Sequence, residues 1–136
     1  MKRFLDTNVL IDIVAGRNPW VKQALVLLEL SKQDHIELVA ADFSFINMAY
    51  ILRNAFTTKE LCTLLQDLKK YIHVVPIGDK TLSDALNTQW ADIEDAVQSL
   101  IAKREKADYI ITRNEKDFSA STIPAISPAS FINQYL

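Results

Sequence analysis

Two glycines, Gly16 and Gly78, serve the whole 136-residue chain. Loops that cradle phosphate need clustered glycines to bring backbone amides close, so neither a dinucleotide fingerprint nor a Walker loop can be assembled. Nucleotide cofactors are set aside on that ground. No serine sits between glycines in a nucleophile elbow, which removes a common route to acyl transfer. Cys62 is the only cysteine, so there is no intrachain disulfide or thiolate zinc cluster, and its place in a helical pattern reads as a small core residue. The two histidines, His35 and His73, have no second histidine at ligand spacing and read as surface or packing residues. No apolar run approaches membrane-spanning length, and the stretch after Met1-Lys2-Arg3 is broken at once by Asp6, too soon for a signal peptide. The expectation is a cytoplasmic protein with no membrane partner. Charge of one sign is also missing: 15 Lys and Arg against 17 Asp and Glu leave a net −2. A polyanion would have to be met through a local basic patch or bound cations.

What is present is an ordinary apolar content, 49% of residues, in a length that fits one domain over residues 1–136. Residues 2–5, 36–40, 72–77 and 109–112 are short, rich in β-branched or aromatic side chains and bounded by polar or turn residues, which predicts buried parallel strands. Between them, Pro19 marks a first helical turn ahead of Ala24, Leu25, Leu28 and Leu30. A second helix is expected from Asp42, as N-cap, to about Asn54, with Ile46, Ala49, Tyr50 and Leu52 facing inward. Thr57 and Thr58 open a third, striped by Leu61, Leu64, Leu65 and Leu68. Helices are further expected over residues 79–87, from 92 to about 106, and after Pro128. Strands separated by helices imply right-handed crossovers, hence an α/β fold: a central parallel sheet with helices on both faces.

Carboxylates carry what chemistry remains. Asp6-Thr7-Asn8 follows Arg3-Phe4-Leu5 directly, and Thr112-Arg113-Asn114-Glu115-Lys116-Asp117-Phe118 follows Asp108-Tyr109-Ile110-Ile111. Ligands of open α/β sheets bind at the carboxyl ends of strands, so two distant segments can build one acidic site. Asp92, Glu94 and Asp95 add a third group within one helical turn. Each has a structural alternative: Asp92 as a cap, Asp95 as a dipole partner, Asp6 in a strand-end turn, Asn114 and Asp117 in an Asx turn or cap. Lys103, Arg104 and Lys106 end the Asp95 helix, and Arg113 and Lys116 flank the last motif, so they can guide phosphate or simply be solvated surface. Phe43, Phe45, Tyr50 and Phe118 lie in apolar patterns and read as core.

Taken together, Phe4-Leu5-Asp6-Thr7-Asn8-Val9-Leu10, Ser44-Phe45-Ile46-Asn47, Asp92-Ile93-Glu94-Asp95-Ala96, Asp108-Tyr109-Ile110-Ile111-Thr112-Arg113-Asn114 and Asp117-Phe118 resemble, in order and spacing, a PIN domain, the metal-dependent nuclease fold that includes the VapC-type toxins. The resemblance implies a three-layer sandwich with an acidic pocket at the strand ends. In it Asp6, Asp95 and Asp117 would be the metal and catalytic acids and Asn114 a polar positioning group, and Arg113 and Lys116 beside the last motif are the possible substrate phosphate contacts. The family's second acid, usually glutamate, falls where this chain has Asn47, which can offer a carbonyl but no charge. The resemblance further implies Mg²⁺ or Mn²⁺, an RNA substrate, a homodimer and a protein antitoxin, with the Leu61 to Leu68 stripe available for such contacts or for the core.

Physics agrees with the cation. Two carboxylates about 5 Å apart repel by roughly 3 kcal/mol at an effective dielectric of about 20, and a hard divalent ion with oxygen ligands relieves that. A PIN-like binding module that has lost catalysis at Asn47 is the alternative. A receiver-like domain would want an acid in Val75-Pro76-Ile77, and an aspartyl phosphatase a second Asp at Asn8; neither is there.

Overall fold

A computed structural model of the chain describes residues 1–135. Its elements alternate: β1 (Lys2–Leu5), α1 (Thr7–Ala15), α2 (Val21–Lys32), β2 (Glu37–Ala41), α3 (Asp42–Ile51), α4 (Thr58–Lys69), β3 (His73–Val75), α5 (Asp79–Leu86), α6 (Ile93–Arg104), β4 (Tyr109–Ile111), a 3₁₀ turn (Glu115–Phe118), β5 (Ala125–Ile126) and α7 (Pro128–Tyr135). The five strands form one sheet in the order β3-β2-β1-β4-β5, and every pairing is parallel. The α/β architecture expected from the alternation is the one observed.

Because successive strand residues face opposite sides, the sheet divides the core in two. Leu5, Leu38, Ala40, Ile111 and Ile126 face a layer that includes α1, α2 and α4. Their neighbours Phe4, Val39, Ala41 and Ile110 face α5 and α6. Both faces being covered explains why the strands read as continuous apolar runs.

Sheet order also fixes where a ligand can bind. The chain moves from β1 outward to β2 and β3, then returns to place β4 on the other side of β1. That reversal opens a crevice beyond the carboxyl ends of β1 and β4. Leu5 is in register with Ile111, and Asp6 N–H continues the pairing by donating to the Ile111 carbonyl at 3.0 Å. Asp6 and Thr112 thus leave the sheet side by side.

Local signals hold at several ends. Thr57 and Glu60 form a reciprocal capping box on α4, with Glu60 N–H to Thr57 Oγ1 at 3.1 Å and Thr57 N–H to Glu60 Oε1 at 2.8 Å. Gly16 closes α1 at φ +64°, a left-handed conformation that costs a side chain dearly. Among the described residues no helix is long and apolar enough to cross a membrane.

Four local expectations need correction. Helix α1 was not anticipated: its sequence Thr7-Asn8-Val9-Leu10-Ile11-Asp12-Ile13-Val14-Ala15 is apolar on several sides and lacks the polar face that reveals a surface helix. Strand β5 has two residues, too few to show an alternation. On α3, Ala41 is the N-cap, and Ser44, Phe45, Met48 and Leu52 are buried, whereas Ile46 is 72% and Tyr50 61% exposed. The helix register is anchored by Ser44, whose hydroxyl meets that of Thr7 at 2.7 Å in the interior. Finally, Cys62 is exposed, on the outer face of a helix whose inner face is Leu61 and Leu68.

Candidate active site

Asp6 is the innermost acid of the crevice, 4% exposed. Gln98 Nε2 donates to its Oδ1 at 2.9 Å and Thr112 Oγ1 to its Oδ2 at 2.8 Å. Neither donor is interchangeable. Gln98 Oε1 accepts the Thr7 backbone N–H at 3.2 Å, which turns the amide nitrogen toward Asp6. Thr112 Oγ1 accepts the Asn114 N–H at 3.0 Å and so keeps its own proton for Asp6. Burial raises the Asp6 pKa, while these two side-chain hydrogen bonds oppose it by favouring the ionised form.

Helix α6 brings the second group. Asp92 caps it, its Oδ1 accepting Asp95 N–H at 3.1 Å, and this fixes the first turn. Asp95 carries a strongly perturbed carboxyl: burial first, then the charges of Asp92, Asp6, Asp117 and Glu94, push its pKa up to about 7. Glu94 is raised as well, by burial and by Asp6 and Asp92. None of the ion pairs found among the described residues involves Asp6, Glu94, Asp95 or Asp117. The crevice therefore gathers carboxylates that form no ion pair with a cationic side chain among the described residues.

The remaining expected residues are distributed around this centre. Asp117 and Lys116 join Trp90, Asp92 and Asp95 in lining an open cavity of about 500 Å³. Asn114 is exposed, and its carbonyl accepts the Asp117 N–H at 3.0 Å, folding the loop that presents Asp117. Asn47 reaches the crevice from α3, its Nδ2 donating to Glu94 Oε2 at 3.3 Å. Arg113 faces elsewhere: Nε and Nη2 grip Asp12 at 2.7 and 3.3 Å, and the guanidinium lies 3.9 Å from the centre of the Trp20 ring. Arg104 likewise is occupied, donating to the Pro76 and Ile77 carbonyls and to Thr81. Of these basic groups, Lys116 is the one that lines the acidic cavity.

A search for acids passes over Gln98 and undervalues Glu94. The available signal was spacing: Glu94 and Gln98 are four residues apart and Asp95 lies between them, so one helix face carries all three. Among the described residues no three acidic, histidine or cysteine side chains are grouped tightly enough to enclose an ion unaided. The donors are nonetheless all oxygen and mutually repelling. That suits a hard ion such as Mg²⁺, which is typically held by one or two carboxylates and keeps several waters.

Comparison with known proteins agrees with this architecture. Residues 2–116 match the family model described as PIN domain. Ribonuclease VapC1 of Aquifex aeolicus (strain VF5) is 21% identical over 139 residues, spanning 98% of this chain and 95% of that protein. Among solved structures, VapBC2 from Rickettsia felis, bound to a DNA fragment from their promoter, has a TM-score of 0.70 at 15% identity, covering 93% of this chain and 98% of that one. A toxin-antitoxin complex from Klebsiella pneumoniae has a TM-score of 0.65 at 22% identity, covering 93% and 97%. These structural likenesses concern the fold, and the resemblance read from the motifs is borne out. With the family model running from β1 into the turn after β4, the chain belongs to the PIN domain family.

Proposed function

We propose that this chain is a divalent-metal-dependent endoribonuclease that hydrolyses RNA phosphodiester bonds, and that it serves as the toxin of a toxin–antitoxin pair. The observation that carries the reading is the convergence of carboxylates at the end of β1 and the start of α6, outside every ion pair among the described residues, where burial first and then the neighbouring acids push Asp95 up to about 7. The similarity to a ribonuclease over nearly the whole chain supports it, and the toxin–antitoxin likeness supports a protein antitoxin as partner.

In this reading Asp6 and Asp95 are the principal cation ligands and Asp117 a further ligand or water partner. Gln98 and Thr112 fix Asp6 and favour its ionised form against the effect of burial, because both donate to it. Asn114 shapes the loop bearing Asp117, and Lys116, exposed beside the cavity, meets substrate phosphate as a solvated point charge. When bound, Mg²⁺ or Mn²⁺ supplies Lewis-acid activation of water and neutralises charge at the phosphate. A homodimer is part of the proposal.

The test is cleavage of several single-stranded RNAs with Mg²⁺, with Mn²⁺ and with a chelator. Wild type should cleave only with metal, and Asp6→Asn and Asp95→Asn should be inactive while retaining the wild-type circular dichroism. A folded wild type that cleaves none of them with either metal overturns the enzymatic reading. If it also binds neither ion, a non-catalytic binding module is favoured.

A further inference from the structure

Glu94 and Asn47 meet across the crevice from different helices, α6 and α3, through the hydrogen bond from Asn47 Nδ2 to Glu94 Oε2 at 3.3 Å. Both side chains are partly buried. We propose that Glu94 is a further carboxylate ligand toward the divalent cation, in contact with it or through a water of its shell, and that Asn47 is the residue that positions it. The proposal rests on the metal-dependent reading above.

An acid in the first turn of a helix has an ordinary explanation, since the dipole there favours negative charge. That accounts for a glutamate at this position but not for its environment. A carboxylate serving only the dipole would extend into water. Glu94 is instead drawn under cover, beside the charges of Asp6 and Asp92, and the hydrogen bond it accepts comes from a neutral donor, Asn47, which favours its ionised form. Among the described residues it is in none of the ion pairs. Burying an acid beside other acids is unfavourable unless a positive charge joins them.

The chemistry of the contact assigns the two roles. An amide nitrogen only donates, so Asn47 orients the carboxylate without competing for a cation. A carboxylate has about four lone-pair positions, and one neutral donor leaves about three of them for an ion or its water. Asp95 follows Glu94 directly in the chain and the charge of Asp6 acts on it, so Glu94 is coupled to both principal acids. Asn47 lacks a charge of its own, yet the pocket keeps one at the same place, from the facing helix.

Calorimetric titration with Mn²⁺, with thermal melting as a second readout, separates the possibilities. Wild type should bind. Glu94→Gln should bind about 10- to 100-fold more weakly, and Asn47→Ala about tenfold more weakly, the range seen when groups around a metal are removed. Without metal, Glu94→Gln should melt no lower than wild type, because a repulsion has gone, and it should gain less from Mn²⁺. The decisive variant exchanges the pair: Asn47→Glu with Glu94→Gln restores one carboxylate and one amide across the same contact and should recover most of the affinity. Undiminished binding by Glu94→Gln, or an exchanged pair no better than Glu94→Gln alone, overturns the assignment. A wild type that binds no Mn²⁺ overturns the metal-dependent reading itself, a result distinct from either.

Discussion

Gln98, fully buried in the middle of α6, holds Asp6 with one end of its amide while the other end takes the backbone N–H of Thr7. The amide cannot be flipped without setting two donors against each other. Helix α6 and the exit of β1 are therefore locked in one relative position, and with them Asp95 and Asp6.

Replacing Gln98 by the nearly isosteric methionine leaves a buried carboxylate and a buried N–H short of partners. A loss of about 2–4 kcal/mol is expected, since hydrogen bonds to charged groups contribute about 1.5–3 and an orphaned buried group costs about 1–3 kcal/mol. Urea unfolding of the metal-free protein measures it. A change below about 0.5 kcal/mol, the size typical of surface substitutions, would mean that Gln98 is incidental.

Stability of the metal-free protein should fall as pH rises. Burial and the neighbouring acids push the folded-state pKa of Asp95 up to about 7, against about 3.9 for an unperturbed aspartate. The folded state thus holds this proton more tightly, so its contribution is complete below about pH 4 and is lost as pH rises through about 7. Asp6, Asp12 and Glu94 are also raised and act in the same sense. In chelator, Tm should drop between pH 5 and pH 8, and Asp95→Asn should flatten the drop. Equal slopes in the two proteins would exclude Asp95 as a source. Added Mg²⁺ or Mn²⁺ should return stability at pH 8 to wild type and not to the variant.

Arg113 should matter for stability through Asp12. Its side chain is 19% exposed and that of Asp12 1%, so Arg113→Met strands a buried carboxylate, and about 3 kcal/mol of destabilisation is expected. Asp12→Leu combined with Arg113→Met should recover most of it, because an apolar pair of similar bulk does not require ion pairing. If the double variant is no more stable than Arg113→Met, the ion pair is not the origin of the loss.

Helix α3 offers a comparison between faces. Met48 is fully buried and Ile46 is not. Met48→Ala should cost about 2–5 kcal/mol, whereas Ile46→Lys should change stability by no more than about 0.5 kcal/mol. Denaturant midpoints decide it, and a large loss at Ile46 would place that residue in an interface.

Periodicity and composition made most of the fold legible. Four of the five strands, the capping box at Thr57 and the cap at Asp92 are local features: their signals lie within a few residues and depend on the backbone's own hydrogen bonds. Helix α1 and the inner face of α3 were not legible, because a helix buried on several sides has no polar stripe, and because Ser44 turns inward to meet Thr7. The outward Cys62 is likewise a matter of helix orientation against neighbours.

The acids of the site stood out as residue types at strand and helix ends, and the motif order was enough to indicate the family. Which partners they have depended on the packing of α3 and α6 against β1 and β4. Only that packing gives Asn47 to Glu94, Gln98 to Asp6, and Arg113 to Asp12. The physical reason is distance along the chain: hydrophobic period and capping act over a few residues, whereas contacts between positions 47, 92 and 101 apart exist only after the sheet order brings the strand ends together. The chain alone determined an α/β sheet with acids at its strand ends; the tertiary structure decided which of those acids share a charge.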